Sequence, residues 1–156
     1  MKKYILSGFV ALLLFSGPAC IKNGDTCQAK TIQSEDAAMQ AYATANGMTV
    51  TRHSSGMYYE IINPGTGVTP TPSSRISVRY TGKLLNGTIF DVATTATAPY
   101  PISGFIAGWQ IGIPLINKGG TIRLIIPSLL AYGCQANGVI PANSILFFEV
   151  ELVDVQ

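Results

Sequence analysis

The sequence predicts an α+β domain: an antiparallel sheet laid against one short helix, with a helical segment ahead of it. Three observations carry this expectation. From Met57 onward, apolar residues recur at every second position in several short runs, the period of a half-buried strand. Asn86-Gly87 stands between two apolar segments, a strong short-hairpin signal. One stretch, residues 106–116, breaks the alternation and carries the only tryptophan, Trp109, between Gly108 and Gly112.

In chain order, Lys2 and Lys3 give a basic start, and an apolar run over residues 4–15 leads to "SGPAC" at 16–20. This pattern reads as an export signal. The run is short of the roughly 20 residues a membrane-crossing helix needs. The expected divisions are a signal over 1–19, a polar tether over 20–33, a helical extension and linker over 34–56, and the main domain over 57–156. Ala19-Cys20 resembles a bacterial lipoprotein cleavage site, in which Cys20 becomes the lipid-bearing N-terminus; ordinary cleavage after Ala19 fits the small-residue rule equally. Within 34–47, Ser34 is the expected N-cap, Glu35 and Asp36 fall in the first turn, and Asn46-Gly47 is a stop signal. Met39 and Tyr42 share a face, which can serve a spacer helix or pack on the domain or a second copy.

The strands follow. "MYYEIIN" precedes the turn "PGTG". In "RISVRYT", Ile76, Val78 and Tyr80 share one face and Arg75, Ser77 and Arg79 the other. "KLLNGTIFD" is the hairpin. Ile122, Leu124 and Ile126 alternate in "TIRLIIP", and Leu146, Phe148, Val150 and Leu152 in "SILFFEVELVDV". Five strands with one inward face each are expected. Pro114 keeps the intervening helix short. Its glycines let it lie close to the strands, with Trp109 projecting between the two layers.

Charge and residue inventory exclude several function classes. Removing Lys2 and Lys3 with the signal leaves eight basic residues against eight acidic ones, out of ten and eight in the whole chain. A neutral domain lacks the basic footprint that nucleic-acid binding needs. His53 is the single histidine, so triads and zinc clusters are poorly supplied, and "NKGG" is not continued as a phosphate loop. No metal or cofactor is expected. The cysteines are Cys20, Cys27 and Cys134. If Cys20 carries lipid, Cys27 and Cys134 are free either to pair or to stay as separate thiols. Aromatic residues gather instead near turns and strand ends. Asp91 follows Phe90 at the end of an apolar strand, where an acid can accept from a tyrosine.

The stretches "VRYTGKLLNGTIFD" (78–91), "FIAGW" (105–109), "GGTIRLIIPSLLAYG" (119–133) and "VIPANSILFFEVEL" (139–152) stand in an order and spacing similar to FKBP-type peptidyl-prolyl cis–trans isomerase domains. The resemblance implies a twisted antiparallel sheet wrapped around a short helix, with a prolyl pocket between them. Carried over by position, it implies a catalytic set of Tyr80, Phe90, Asp91, Ile106, Trp109, Tyr132 and Phe148. It implies further substrate contacts from Tyr100, Phe105, Val139 and Ile140. Trp109 is the implied floor and Asp91 the rim. The Ile106 N–H and the Tyr132 hydroxyl are the implied donors to substrate carbonyls. The loop "VATTATAPY" departs from the family, with Ala96 near the place of an arginine that could hold Asp91. The implied substrates are proline-containing unfolded or nascent exported polypeptides; membrane contact is expected only through lipid on Cys20, if the Ala19-Cys20 site is cut as a lipoprotein's. The alternative is a related module that holds proline segments with little turnover, and a third reading is a purely structural envelope lipoprotein.

Overall fold

The computed structural model describes residues 27–156; the expected signal segment and Cys20 lie outside them. Helix α1 spans Ile32–Ala45 and is followed by strands β1 (Thr51–Arg52), β2 (Tyr58–Asn63), β3 (Arg75–Leu84), β4 (Ile89–Ala93) and β5 (Tyr100–Pro101). Helix α2 (Ala107–Gly112) runs into a 3-10 turn at Ile113–Leu115, and strands β6 (Thr121–Ile126) and β7 (Leu146–Val155) complete the chain. All pairings are antiparallel, in the order β1-β2-β6-β7-β3-β4, with β5 added to β3. The five expected strands are present, and β1 and β5, two residues each, are too short to show a period in the sequence.

The expected inward faces are the core. Ile76 and Val78 of β3, Ile122, Leu124 and Ile126 of β6, and Leu146, Val150 and Leu152 of β7 are fully buried. Helix α2 lies directly on them. A Cβ at Gly108 would stand 2.5 Å from Ile126 Cγ2, and one at Gly112 would stand 2.7 Å from Leu124 Cδ2. Glycine weakens a helix by about 1 kcal/mol relative to alanine. Here that cost is offset by the close approach, which carries Trp109 into the core.

The sheet also has a second apolar face at one end. Met39 and Ala43 of α1 pack with Tyr58, Ile125 and Phe147, and the Tyr42 ring tilts against Phe147 at 5.4 Å. Ile125 and Phe147 are the apolar residues out of phase with the main alternation. They are covered because α1 packs on the domain itself. The Tyr58 hydroxyl fastens α1 further, donating to Asp36 Oδ1 (3.1 Å) and accepting from Gln40 Nε2 (2.9 Å).

Two local expectations change. The N-cap of α1 is Thr31, not Ser34: the Thr31 hydroxyl accepts from the Ser34 N–H at 3.2 Å. The helix starts a turn earlier because Ile32 can enter it once Thr31 satisfies a free amide. The stop at Asn46-Gly47 stands, with Met48 N–H bonding to Ala43 O and Gly47 N–H to Thr44 O. The hairpin turn is longer than a two-residue loop. Gly87 N–H bonds to Leu84 O, Leu84 N–H bonds to Thr88 O, and Gly87 alone takes positive φ there, at +89°. This is a type I turn followed by a left-handed residue. Cys27 and Cys134 form a disulfide across 107 residues of sequence, settling the pairing that the cysteine count left open.

The two helix glycines should respond differently to alanine. All the obstructing residues are fully buried, but at Gly108 they are three atoms of one β-branched isoleucine at 2.5–2.9 Å, whereas at Gly112 they are the Leu124 methyls and Met57 Cε at 2.7–3.1 Å. Gly108→Ala should lower stability by about 1–3 kcal/mol through overpacking, measured by chemical denaturation. Gly112→Ala should cost less than Gly108→Ala in the same measurement.

Candidate functional site

Trp109, 3% exposed, is the hub of an aromatic cluster assembled from four elements. Phe105 stacks on it from the loop before α2, with centroids 4.9 Å apart. Tyr80 of β3 and Phe148 of β7 meet it edge-on, each at 5.2 Å. Phe90 of β4 extends the cluster by meeting Phe148 at 5.5 Å. That last contact crosses β3 at Gly82, which is paired with Phe148; a Cβ at Gly82 would lie 2.7 Å from both the Phe90 and Phe148 rings. The sequence reading passed over Gly82, although an isolated glycine inside a strand signals a close approach.

The cluster bounds a cavity of about 220 Å³ lined by Tyr80, Asp91, Gly104, Phe105, Ile106, Trp109, Tyr132 and Phe148. Phe90, Val139 and Ile140 line an adjoining cavity that shares Asp91, Tyr132 and Phe148 with the first. Ile140 is buried there, whereas Val139 is 68% exposed on the loop. Tyr100 stands one ring farther out, edge-on to Phe105 at 5.2 Å, because β5 holds it at the sheet margin beside Ile76. A larger recess, of about 440 Å³, lies on the outer sheet face among Arg79, Glu149 and Glu151. It lacks aromatic walls beyond Tyr80, and its charges are already paired as Arg79–Glu151 and Arg123–Glu149. The smaller aromatic cavity is the better candidate on chemical grounds.

Polar groups around that cavity fall into two sets. The first is satisfied internally. The Tyr80 hydroxyl donates to Asp91 Oδ2 at 2.7 Å. Burial, and then the hydrogen bond to Asp91, raises the Tyr80 pKa well above the usual phenol value, so the hydroxyl keeps its proton at neutral pH. Among the described residues Asp91 has no ion pair, in keeping with the missing arginine. Gln110 Nε2 donates to Phe105 O (2.7 Å) and Ser103 O (3.2 Å), fixing the loop that presents Phe105. No period or motif in the sequence distinguishes Gln110.

The second set has no partner among the described residues, and of its members only Trp109 Nε1 is fully buried. Among the described residues nothing accepts from the backbone N–H of Ile106, the N-cap of α2, or from the Tyr132 hydroxyl. Trp109 Nε1 is buried without a partner. A buried donor left unpaired costs about 1–3 kcal/mol. Unpaired donors on an apolar cavity suit a ligand that brings carbonyl oxygens with it.

A family model for FKBP-type peptidyl-prolyl cis-trans isomerases matches residues 67–153. The chain is 43% identical over 104 residues to the FKBP-type 22 kDa peptidyl-prolyl cis-trans isomerase of Escherichia coli K12, covering 65% of this chain and 50% of that protein. It is 42% identical over 105 residues to the FKBP-type peptidyl-prolyl cis-trans isomerase FkpA of the same strain, covering 66% of this chain and 39% of that protein. The chain thus spans half or less of the length of these curated relatives. Among solved structures, FkpA from Escherichia coli superposes with a TM-score of 0.68 at 34% identity, over 80% of this chain and 62% of that one. A peptidyl-prolyl cis-trans isomerase from Pseudomonas syringae pv. tomato superposes with a TM-score of 0.68 at 30% identity, over 83% of this chain and 98% of that one. With the sheet, the short helix, the aromatic cavity and these matches in agreement, the chain belongs to the FKBP-type peptidyl-prolyl cis-trans isomerase family.

Proposed function

We propose that the chain catalyses cis–trans rotation about Xaa-Pro bonds in unfolded or nascent exported polypeptides. The observation that carries this reading is an apolar aromatic cavity flanked by two donors without partners, the Ile106 N–H and the Tyr132 hydroxyl. Amide rotation faces a barrier of about 18–20 kcal/mol because resonance must be broken, and uncatalysed it takes tens to hundreds of seconds. The twisted amide has less charge separation than the planar one. An apolar box therefore disfavours the planar ground state more than the twisted state, which is differential binding of the transition state. Rotation breaks no covalent bond, so it requires no nucleophile. In this reading Trp109 supplies the floor under the prolyl ring, and Tyr80, Phe90 and Phe148 form the walls. Phe105 and Tyr100 edge the entrance, Val139 and Ile140 contact flanking residues, and Ile106 and Tyr132 hold backbone carbonyls. Asp91 orders the rim through Tyr80.

The second reading is a module that holds proline segments with little turnover. Phe105 favours it, because its stacking on Trp109 covers part of one indole face. A protease-free isomerisation assay on a short Xaa-Pro peptide separates the two. Catalysis predicts an accelerated approach to equilibrium, and saturable peptide binding with an unchanged rate supports the holding module. Asp91→Val should fold normally and reduce turnover by no more than about tenfold, or roughly 1.4 kcal/mol of barrier. Complete loss of activity in a folded Asp91→Val protein would place its charge in the chemistry.

Export and lipid attachment at Cys20 complete the proposal, on the strength of the signal ending in Ala19-Cys20. Cys20→Ser should move the protein from the membrane fraction to the soluble exported fraction. Unchanged fractionation would count against the lipid.

A further inference from the structure

We infer that Glu35, which lies outside the residues matched by the family model, is a positioning residue for Tyr132; this rests on the proposed role of Tyr132 as a donor to substrate. Tyr132 is carried on residues 127–145, the long connection between β6 and β7, whose only regular features are a 3-10 turn at Ser128–Leu130 and an isolated bridge, Asn137–Ile140. A connection of this length holds one conformation only if it is fastened. The fastening on one side of Tyr132 comes from α1. Glu35 Oε2 accepts from the Ser128 N–H at 2.8 Å, with both residues buried, at 2% and 1% exposure. The Ser128 carbonyl in turn accepts from Ala131 N–H (3.0 Å) and Gly133 N–H (2.8 Å), the two amides that flank Tyr132. One carboxylate thus holds the residue, Ser128, on whose carbonyl both neighbours of Tyr132 close.

The placement of Glu35 is not explained by packing. It occupies the same buried face of α1 as Met39 and Ala43, spaced by four residues. An apolar side chain there would bury surface without the cost of desolvating a carboxylate. Glu35 Oε1 and Ser128 Oγ are both buried without partners, so the contact is not an optimised stabilising network. What the carboxylate provides is a directed acceptor for the Ser128 amide. The other side of Tyr132 is fastened by the same N-terminal segment. Cys27 is bonded to Cys134, and Asn143 donates to Gln28 O (2.9 Å) and accepts from Lys30 N–H (3.1 Å). Asn143 N–H returns to Gly133 O at 2.8 Å. Residues 27–35 form a strap that brackets Tyr132.

The test is a double-mutant cycle on the disulfide-bonded protein, with kcat/KM measured on an Xaa-Pro peptide. Glu35→Met removes the acceptor and keeps an apolar fit to the stripe; Tyr132→Phe removes the hydroxyl. Glu35→Met leaves the buried Ser128 N–H without its acceptor, so it should lower the thermal midpoint. Compared at a temperature where every variant is folded, it should lower kcat/KM about tenfold, within the roughly 10²-fold that a distant change can cost by misplacing a contacting group. In the Tyr132→Phe background the same substitution should cost less than about twofold, because coupled residues are not additive. Glu35→Gln, which retains an acceptor oxygen, should recover most of the loss. Equal losses in both backgrounds, or no loss in Glu35→Met, would overturn the inference. If Tyr132→Phe alone leaves kcat/KM unchanged, the hydroxyl role is what has failed, and the inference falls with it. Where Glu35→Met does not fold, Glu35→Ala takes its place in the same cycle.

Discussion

The indole of Trp109 lies under a cavity because α2 can rest on the sheet with no side chain between them. Gly108 meets Ile126 and Gly112 meets Leu124 at distances that a Cβ could not share. Everything at the site is set from that contact. The close approach buries the one tryptophan, and the buried indole gathers Phe105, Tyr80 and Phe148 around it. Gly82 repeats the device in β3, where absence of a side chain lets Phe90 reach Phe148. Large rings and missing side chains are thus complementary parts of one packing solution, in an interior dense enough that a single methyl group is felt.

A fold optimised only for stability would not leave Trp109 Nε1 buried without an acceptor beside a cavity. Nor would it bury Glu35 on an apolar helix face. The cost of burying these polar atoms is offset by two apolar cores. One lies between α2 and the inward sheet face, and the other lies under α1. The second core draws the segment ahead of the matched family region into the body of the molecule, and the Cys27–Cys134 disulfide ties it to the loop that carries Tyr132. The N-terminal segment is therefore structurally part of the site's support.

The sheet was legible in the sequence because one face is buried and the other mostly solvated, which writes a period of two into β3, β6 and β7. The short helix was legible as the place where that period stops. The β1 and β5 strands were not, since two residues define no period. The second core was written as out-of-phase residues, Ile125 and Phe147, whose burial depends on a helix distant in sequence. Ser34 was a reasonable cap by residue type, yet Thr31 holds that place because local hydrogen bonding decides between neighbouring hydroxyls. The aromatic residues of the site came from position-by-position resemblance, and the structure brings most of them to one cavity, with Phe90 on the adjoining cavity and Tyr100 one ring removed. Gln110 had no signal, and Glu35 was legible only as a first-turn acid, because each bonds a backbone group that only the folded chain brings near.

Trp109 also makes the central claim directly measurable, since it is the only tryptophan in the chain and almost fully screened from water. The decisive measurement is its emission during titration with a peptide bearing an apolar residue before proline, beside a matched peptide with alanine in place of proline. If the aromatic cavity receives the prolyl ring, the emission changes saturably with the proline peptide and far less with the alanine peptide. Isomerase activity toward the proline peptide with no change in Trp109 emission would contradict the account and leave the indole as ordinary core.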